Sequence, residues 1–392
     1  MVFSRRSFVI GSLGLAACGP RSKPTVAPEP APKAAAGPPS LLILGGTGFL
    51  GPHVVEAALA EGWTVTLFNR GKTNPHLFPD LEKLKGDRDG DLKALEGRKW
   101  TYVVDPSGHI PRIVEASAKL LAPNIERYMF VSSISAYGSM TKAGVDESHP
   151  SAPMPEPYSE EVMQHYGGLK AGCERAAEAA LPGRTVNVRP GLIVGPGDPS
   201  DRFTYWPVRV ERGGRVLAPG VPEDPTQYID VRDLAKWMIV ALRDNHVGLY
   251  NATGPAEKTT IGALLESCKQ VSKSDAEFVW APADFLAAQE VGPWIQMPMW
   301  VPPNDAEFAG LLQVDVSKAI AAGLTFRPVS ETIEATLKWW HEQPEERRNK
   351  MRAGIPPEKE ADVLAKLAEK RPTKVSARVS ASSRRFAHVR FG

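Results

Sequence analysis

One short glycine-rich segment constrains the fold of this chain more than any other feature. The apolar residues 41–44 are followed by Gly45, Gly48 and Gly51. A buried strand that runs through a tight turn into a helix has this pattern, with glycines where the backbone approaches a pyrophosphate and where the helix packs on the strand. Apolar residues then recur with helical spacing from Val54 to Leu59. The segment therefore predicts a dinucleotide site at the end of the first strand of a sheet.

Strand and helix patterns alternate along the chain after this segment. Further strands are predicted at residues 63–68, 102–104, 127–133, 185–189 and 248–251, and helices at 91–95, 112–121 and 160–180. Alternation with short connections is typical of an α/β fold with a Rossmann-type, doubly wound parallel sheet. After about residue 198 the chain becomes rich in proline, glycine and tryptophan. We expect a smaller, irregular C-terminal substrate lobe there, with a substrate cleft between it and the sheet.

The composition divides the chain into five predicted regions. They are a signal over residues 1–18, a Pro/Ala-rich linker over 19–40, a dinucleotide-binding Rossmann region over 41–198, the remaining sheet elements and substrate lobe over 199–345, and a helical extension with a basic disordered tail over 346–392. The proline-rich linker favours an extended tether between the signal and the folded part.

The N-terminal residues have the features of an export signal. Arg5 and Arg6 precede a short apolar run, and Cys18 follows Leu15-Ala16-Ala17. This pattern resembles a twin-arginine signal joined to a lipobox in which Cys18 accepts the lipid. The apolar run is far shorter than the ~20 residues that a membrane-spanning helix needs. We therefore expect an exported lipoprotein, anchored through Cys18 to the periplasmic or outer face of a bacterial membrane.

The charge distribution bears on the partners of the chain. Residues 1–39 carry a net +4 and residues 371–392 a net +6, so a total of +2 leaves −8 for residues 40–370. An acidic domain argues against a nucleic-acid surface. The eight histidines lack metal-ligand spacing and there is no Cys-x-x-Cys motif, so we expect no metal. Cys173 and Cys268 are expected in the core.

A tyrosine and a lysine are predicted on one face of the helix over 160–180. Tyr166 and Lys170 are four residues apart, which is about one helical turn. A neighbouring ammonium group is expected to lower the pKa of a tyrosine from its usual value of about 10. Tyr166 would then serve as an acid or base on a substrate hydroxyl or carbonyl. The spacing by itself is also that of an ordinary surface pair.

The order of the motifs is more specific than any one of them. A glycine fingerprint is followed by the serine-rich segment 131–138, then by Tyr166 and Lys170, and then by Arg189-Pro190-Gly191. Over residues 41–340 the chain resembles the extended short-chain dehydrogenase/reductase superfamily, in its NAD-dependent epimerase/dehydratase family. The resemblance implies that Ser133 bonds the reacting oxygen, Tyr166 moves the proton and Lys170 holds the nicotinamide ribose. Ser132 stays open as an alternative to Ser133.

The resemblance also implies a set of cofactor contacts. They are Gly45, Thr47, Gly48, Phe49, Leu50, Gly51, Asn69, Arg70, Asp87, Ser107, Tyr166, Lys170, Arg189 and Pro190. Arg70 follows the second predicted strand, at the point where a carboxylate would bind the adenosine ribose of NAD. Since a guanidinium matches the 2′-phosphate of NADP instead, NADP is favoured over NAD. Residues 105–109 replace the usual Asn-Ala-Ala run of the family. Trp294 and Trp300 are interpreted either as packing residues or as a stacking surface for a sugar ring.

Three functions are compatible with this sequence. The first is an epimerase/dehydratase-like oxidoreductase that acts on a hydroxyl or ketone of a carbohydrate-like substrate or glycoconjugate. The second is a reductase or dehydrogenase that exchanges its cofactor, and the third is a non-catalytic dinucleotide-binding module. Free dinucleotide is expected to be scarce outside the cytosol, so export favours the first function with a tightly retained cofactor. A homodimer is also considered.

Overall fold

The computed structural model describes residues 37–370. The predicted signal, the lipid-accepting Cys18, most of the linker and the basic tail lie outside the described residues.

The strands of the described part are short, and the longest have six residues. In chain order they are β1 (Ser40–Leu44), β2 (Thr64–Asn69), β3 (Glu82–Lys85), β4 (Tyr102–Asp105), β5 (Arg127–Val131), β6 (Thr185–Pro190), β7 (Ile193–Val194), β8 (Arg215–Pro219), β9 (Pro225–Thr226), β10 (Ile229–Asp230), β11 (Gly248–Ala252), β12 (Thr259–Thr260), β13 (Glu277–Ala281), β14 (Pro293–Trp294) and β15 (Met297–Pro298).

The helices alternate with the strands over most of the chain. They are α1 (Leu50–Ala60), α2 (Pro111–Leu121), α3 (Val162–Ala180), α4 (Tyr205–Glu211), α5 (Val231–Arg243), α6 (Ile261–Ser272), α7 (Ala283–Ala288), α8 (Ser317–Ala321), α9 (Val329–His341), α10 (Glu345–Arg348) and α11 (Pro357–Lys370). Single 3₁₀ turns cover Lys93–Leu95, Ala122–Asn124 and Ile134–Ala136.

A seven-stranded sheet forms the centre of the molecule. Its strand order is β11-β6-β5-β4-β1-β2-β3, and every neighbouring pair is parallel. The order reverses at β1 and β4, which is the arrangement of a doubly wound sheet. The predicted Rossmann-type α/β fold is confirmed.

Apolar residues cover both faces of this sheet. Leu41 and Ile43 of β1 pack in one core with α1 and α5, while Leu42 and Leu44 pack in a second core with α2 and α3. Burial on both faces explains why the strand is a continuous apolar run, since a one-sided strand would alternate with polar residues. Cys173 is buried in the second core as a free thiol, as predicted.

A third core lies in the C-terminal half of the described chain. It joins α4, α6, α9 and α11 with the parallel pair β8 and β13, and it contains the buried Cys268. Short two-residue ladders and loops surround it. This core supports the irregular segments that the composition indicated after residue 198.

Three local features differ from the sequence-based expectation. The helix expected at 91–95 is only a 3₁₀ turn. Strand β3, with the sequence EKLK, was not predicted because three of its four residues are exposed and charged at the sheet edge. Helix α3 is interrupted at His165, whose backbone leaves the helical region.

Candidate active site

The carboxyl ends of β1, β4, β5 and β6 open into a cavity of about 990 Å³. A second cavity of about 610 Å³ adjoins it and shares Gly45, Gly48, Ser107 and His109 with it. Ligands of doubly wound sheets bind outside the carboxyl ends of the strands where the strand order reverses, and these cavities lie there. Together they are lined by all of the predicted site residues except Arg189 and those outside the described range.

The glycine turn forms the wall between β1 and α1. Gly45 and Gly46 have φ angles of +131° and +89°, which side chains rarely allow. A Cβ on Gly51 would lie 2.5 Å from the Cα of Gly46, so only glycine lets α1 pack on the turn. A Cβ on Gly48 would meet nothing, because that position faces open space. All four glycines line the cavity, and Gly48 is the one that is exposed.

Helix α1 begins at this turn with free backbone donors. Phe49 is its N-cap and makes no side-chain cap bond. The first N–H groups of a helix, together with its dipole, favour a phosphate group. The turn and the helix end thus fit the pyrophosphate of a dinucleotide.

The second cavity holds the residues predicted for the adenosine end. Asn69 donates to the Gly45 carbonyl (3.2 Å) and accepts from the Gly71 amide (2.9 Å), so it fastens the turn after β2 to the glycine turn. Arg70 is exposed on the cavity wall and makes no ion pair with any residue of 37–370. Asp87 is held by backbone bonds to Asp91 of 3.1 and 2.9 Å. Arg70 is therefore available to an anion.

The departure from the family pattern at residues 105–109 has a structural explanation. Arg88 donates to both carboxylate oxygens of Asp105 (2.5 and 2.7 Å), and Tyr128 donates to one of them (2.8 Å). Ser107 donates its amide to Asp105 (3.2 Å) and its hydroxyl to the Leu44 carbonyl (3.0 Å). The loop after β4 is thus held by a buried ionic network, while Ser107 still lines both cavities.

Ser133 and Tyr166 come together across the first cavity. Ser133 follows β5, and its hydroxyl accepts from the Ser135 amide (3.1 Å) at the start of a 3₁₀ turn. The hydroxyl also lies beside the Tyr166 phenol and favours its ionised form. Ser132 is buried, lines the same cavity and has no partner for its hydroxyl among the described residues. Both serines therefore stay candidates for contact with a reacting oxygen.

The electrostatic surroundings of Tyr166 differ from the prediction. Desolvation by the cavity walls raises the pKa of Tyr166, and the cation that opposes this rise is Arg202. The expectation that Lys170 lowers the pKa of Tyr166 is wrong for this geometry. The physical reason is the direction of the Lys170 side chain, because its ammonium donates to two backbone carbonyls and not to the Tyr166 phenol.

Lys170 is a buried ammonium group that lines the cavity beside the ends of β4 and β5. Its Nζ donates to the carbonyls of Gly108 (2.7 Å) and Val131 (2.6 Å), and it lies 4.3 Å from the centre of the Phe130 ring. Burial lowers its pKa to about 8. Since an ammonium has three protons, two are used by these carbonyls and one is left for a ligand.

Arg189 does not reach the cavity. It is fully buried, donates to both carboxylate oxygens of Glu174 on α3 (2.8 and 2.6 Å) and to Ser151 (2.6 Å), and stacks on Tyr137. The structure places Arg189 behind the cavity wall, where it links β6 to α3, so its position does not support the predicted cofactor contact. Pro190, the next residue, does line the cavity.

Two residues of the cavity were not predicted from the sequence, and the role of a third was left open. Asp198 and Arg202 line it from the loop between β7 and α4, and no motif indicated them. Trp294 also lines it, with the Arg202 guanidinium 4.8 Å from its ring centre. Trp300 is instead buried and donates to Asp224 (2.7 Å), so it is a packing residue.

Within residues 37–370 there is neither a group of three metal-ligating side chains nor a helix long and apolar enough to cross a membrane.

A glycine turn on a parallel α/β sheet, with a serine, a tyrosine and a lysine at the same cavity, defines the class of extended short-chain dehydrogenases/reductases. The model of the NAD dependent epimerase/dehydratase family matches residues 41–93 and 110–252, which is half of the chain. The protein belongs to this family.

Individual relatives agree with the family assignment. The chain is 28% identical to epimerase family protein SDR39U1 of Bos taurus over 56% of its own length and 76% of that protein. It is 27% identical to the chloroplast stem-loop binding protein of 41 kDa b of Arabidopsis thaliana, over 58% of its own length and 62% of the relative's. MoeE5, solved in complex with UDP-glucose and NAD, has the same fold, with a TM-score of 0.53 and 17% identity over 77% of this chain and 98% of that one.

Proposed function

We propose that the protein is an NAD(P)-dependent, epimerase/dehydratase-like oxidoreductase that acts on a hydroxyl or ketone of a carbohydrate-like substrate. The observation that carries this proposal is the meeting of Ser133, Tyr166 and Lys170 at one cavity with the glycine turn. Family membership and the sugar nucleotide and NAD that MoeE5 binds support the reaction class. The chain is proposed to bind its own dinucleotide across both cavities.

In this mechanism the residues of the chain position the substrate and move one proton. A bound nicotinamide supplies hydride exchange with the substrate carbon. Ser133 donates a hydrogen bond to the substrate oxygen, and Tyr166 in its phenolate form, which the charge of Arg202 favours, takes the proton from that oxygen and becomes the phenol as the hydroxyl becomes a carbonyl. Tyr166 returns the proton in the reverse direction. Lys170, whose third N–H is left by the carbonyls of Gly108 and Val131, would hold the nicotinamide ribose.

NADP is proposed as the favoured cofactor, with NAD as the alternative. The support is the unpaired Arg70 on the wall of the second cavity, next to Lys72. A guanidinium binds phosphate oxygens in a bidentate manner, whereas NAD would favour a carboxylate at this point.

Export, the lipid anchor on Cys18 and a tightly retained cofactor belong to the same proposal. Their support is the sequence of the first 18 residues, since a folded protein exported with its cofactor must regenerate that cofactor in place. A closed redox cycle, as in epimerisation, meets this condition, and an extracellular carbohydrate or glycoconjugate is the matching substrate. A homodimer is compatible with this proposal.

A dinucleotide-binding module without turnover is the second candidate function. One relative is named as a stem-loop binding protein, which favours a binding role in part of the family. The net charge of −8 over residues 40–370 opposes an RNA surface on this chain. A reductase that exchanges its cofactor differs from the main proposal only in cofactor release.

Replacement of Tyr166 by phenylalanine tests the proposed chemistry. We expect turnover to fall by about 10²–10⁴-fold, because proton transfer is lost, while NADPH binding followed by fluorescence stays unchanged. Tyr158→Phe is the matched control, since Tyr158 is exposed on the loop before α3. Unchanged turnover in Tyr166→Phe would remove this residue from the mechanism, and binding without any turnover in the wild type would favour the module.

A further inference from the structure

One part of the first cavity, which residues 293–311 supply, is lined mainly by apolar side chains. We call this part the apolar wall, and its members are Pro293, Trp294, Val301, Phe308 and Leu311. The polar residue that the same segment adds to the cavity is Asp305. Since the apolar wall shares the cavity with Ser133 and Tyr166, it faces a substrate that reacts there.

Two members of the apolar wall do not belong to the cores that stabilise the fold. Val301 and Phe308 are members of none of the apolar clusters formed by residues 37–370. Val301 is buried at the cavity, whereas Phe308 is 47% exposed. An aromatic side chain that joins no core keeps apolar surface in contact with water, and a bound apolar group would remove that surface from water. The position of Phe308 is therefore explained by an apolar ligand and not by folding.

The turn that carries Phe308 is held in a fixed position. Asp305 accepts from the Phe308 amide (2.8 Å), so its carboxylate is used by the turn. The Gly310 amide donates to the Met140 carbonyl (2.7 Å), and a Cβ on Gly310 would lie 2.9 Å from that carbonyl oxygen. Leu311 packs against a small core that also contains Met140. The apolar wall is thus a built feature of the cavity.

The polar groups that the loop before α4 brings to the cavity are bonded to one another. The Ser200 hydroxyl accepts from the amide (3.3 Å) and from Nε (3.2 Å) of Arg202, and Asp198 accepts from the Ser200 amide (2.8 Å). Burial lowers the pKa of Arg202, and the charge of Asp198 opposes that shift. The Arg202 guanidinium also stacks on Trp294. Sugar hydroxyls that leave water need hydrogen-bond partners, so this side of the cavity suits an apolar group better than a sugar ring.

We propose that the substrate carries an apolar group, an alkyl chain or an aromatic ring linked to its sugar, and that this group binds the apolar wall while the reacting hydroxyl meets Ser133 and Tyr166. The inference rests on the proposed function, since it assigns the substrate class of the same site. It separates glycolipids and apolar glycosides from free sugars, which have no group that would cover Phe308 and Val301.

Three glucosides that share one sugar test this assignment on the purified full-length protein. Methyl, phenyl and n-octyl β-D-glucoside are titrated by calorimetry with NADPH present, and the octyl compound is kept below its micelle concentration. We expect phenyl or octyl glucoside to bind at least about tenfold more tightly than methyl glucoside, because burial of about two methylene groups corresponds to this factor. The heat capacity change of binding should also be more negative, as apolar burial requires. The tighter of the two ligands identifies the aromatic or the alkyl group.

Two variants separate binding at the apolar wall from general adsorption to apolar surface. In Phe308→Ser we expect the preference over methyl glucoside to fall at least about threefold while NADPH binding stays unchanged, because the variant removes apolar contact area beside the ligand. Leu59→Ser is the matched control, since Leu59 is 42% exposed on α1 and lines neither of the two cavities. This control is expected to keep the preference of the wild type.

Several results would overturn the assignment. They are equal binding of the three glucosides, no saturable binding of any of them, and a preference that survives Phe308→Ser. Self-association in gel filtration that Phe308→Ser abolishes would assign the apolar wall to a second copy of the chain and would also overturn it. Failure to bind NADPH would instead overturn the proposed function, so the two failures are distinguishable.

Discussion

At the scale of single residues, Lys170 shows how the site places a charge in an apolar wall. The residue is 2% exposed, and its ammonium is bonded to the carbonyls of Gly108 and Val131. The Gly108 carbonyl follows β4 and the Val131 carbonyl ends β5, so the lysine joins the ends of two neighbouring strands at the cavity. These two bonds fix the position of the ammonium group independently of any ligand.

The buried ammonium makes stability depend on pH in a defined window. The pKa of Lys170 is lowered to about 8 in the folded protein from 10.5 in an ordinary lysine. Between these values the unfolded chain binds more protons, so the free energy of unfolding rises with pH through this window. The Lys170 contribution corresponds to about 3 kcal/mol. We expect the difference in unfolding free energy between the wild type and Lys170→Met, measured by denaturant titration, to change by this amount from pH 8 to above 10.5.

Lys119→Met provides the control for this pH dependence, because Lys119 is exposed on α2 and is paired only with Glu115. The difference between the wild type and this control is expected to stay flat across the same pH range. A flat difference for Lys170→Met as well would mean that its ammonium is not destabilised by burial.

The residue scale also shows what sequence could and could not predict about chemistry. The identities of Ser133, Tyr166 and Lys170 followed from motif order, because each motif ends a strand or lies on a helix that the sheet places at one edge. The direction of the Lys170 side chain did not follow, because it is set by two carbonyls distant in sequence, that of Gly108 in the loop after β4 and that of Val131 at the end of β5. Arg202 could not be predicted, since its partner Trp294 is 92 residues away in an irregular loop.

At the scale of elements, two glycines control how closely α3 approaches the serine-rich turn and the segment at Pro153. A Cβ on Gly167 would overlap the carbonyl oxygen of Ser135, and one on Gly168 would overlap that of Pro153. These contacts place the start of the regular part of α3, and so Tyr166, against the turn that carries Ser133. The Tyr-Gly-Gly sequence is therefore a packing requirement of the site.

Gly167→Ala is expected to push α3 away from the turn after β5. We predict a loss of about 1–3 kcal/mol in the free energy of unfolding, because overpacking displaces backbone that cannot move freely. Turnover should fall at the same time, since Ser133 and Tyr166 separate. Gly138→Ala is the control: a Cβ there meets its nearest neighbour at 3.5 Å and belongs to the same turn region. Normal stability and turnover in Gly167→Ala would show that this close approach is not needed.

The ion pair between Asp201 and Arg347 links α10 to the loop before α4. Asp201 is fully buried, so removal of Arg347 leaves a buried charge with one fewer partner. We expect Arg347→Gln to lower the free energy of unfolding by about 3 kcal/mol. The substrate KM should rise while NADPH affinity stays unchanged, because the loosened loop carries Arg202 and not the glycine turn.

Arg348→Gln is the natural comparison, since Arg348 is the next residue, is exposed and makes only a bond to the Gln343 carbonyl (3.2 Å). It is expected to behave as the wild type. An equal effect of the two substitutions, or a loss of NADPH affinity in Arg347→Gln, would speak against a specific link to the substrate side of the cavity.

At the scale of the whole molecule, the sheet was far more predictable than the C-terminal part. Six of the seven strands of the central sheet were predicted from their apolar residues, because both faces of a parallel sheet are buried. Strand β3 was not predicted, since its sequence EKLK at the sheet edge is mostly charged and has too few apolar residues. The third core depends on contacts between segments far apart, such as Arg209 with Glu360 across 151 positions, and local patterns do not encode these.

The whole-molecule proposal joins a dinucleotide site to a chain that begins with an export-like sequence. A cofactor acquired before export would have to remain bound through purification. Its identity would also decide between NADP and NAD, and so test the role of Arg70.

The most direct test is to purify the full-length protein, denature it and quantify the dinucleotide released by mass spectrometry. The account predicts close to one nicotinamide dinucleotide per chain, with NADP(H) in excess over NAD(H). A protein that releases none and shows no saturable binding of either NADPH or NADH would contradict the proposed function. Release of none, combined with ready binding and exchange, would contradict the retained cofactor and leave a cofactor-exchanging reductase as the function.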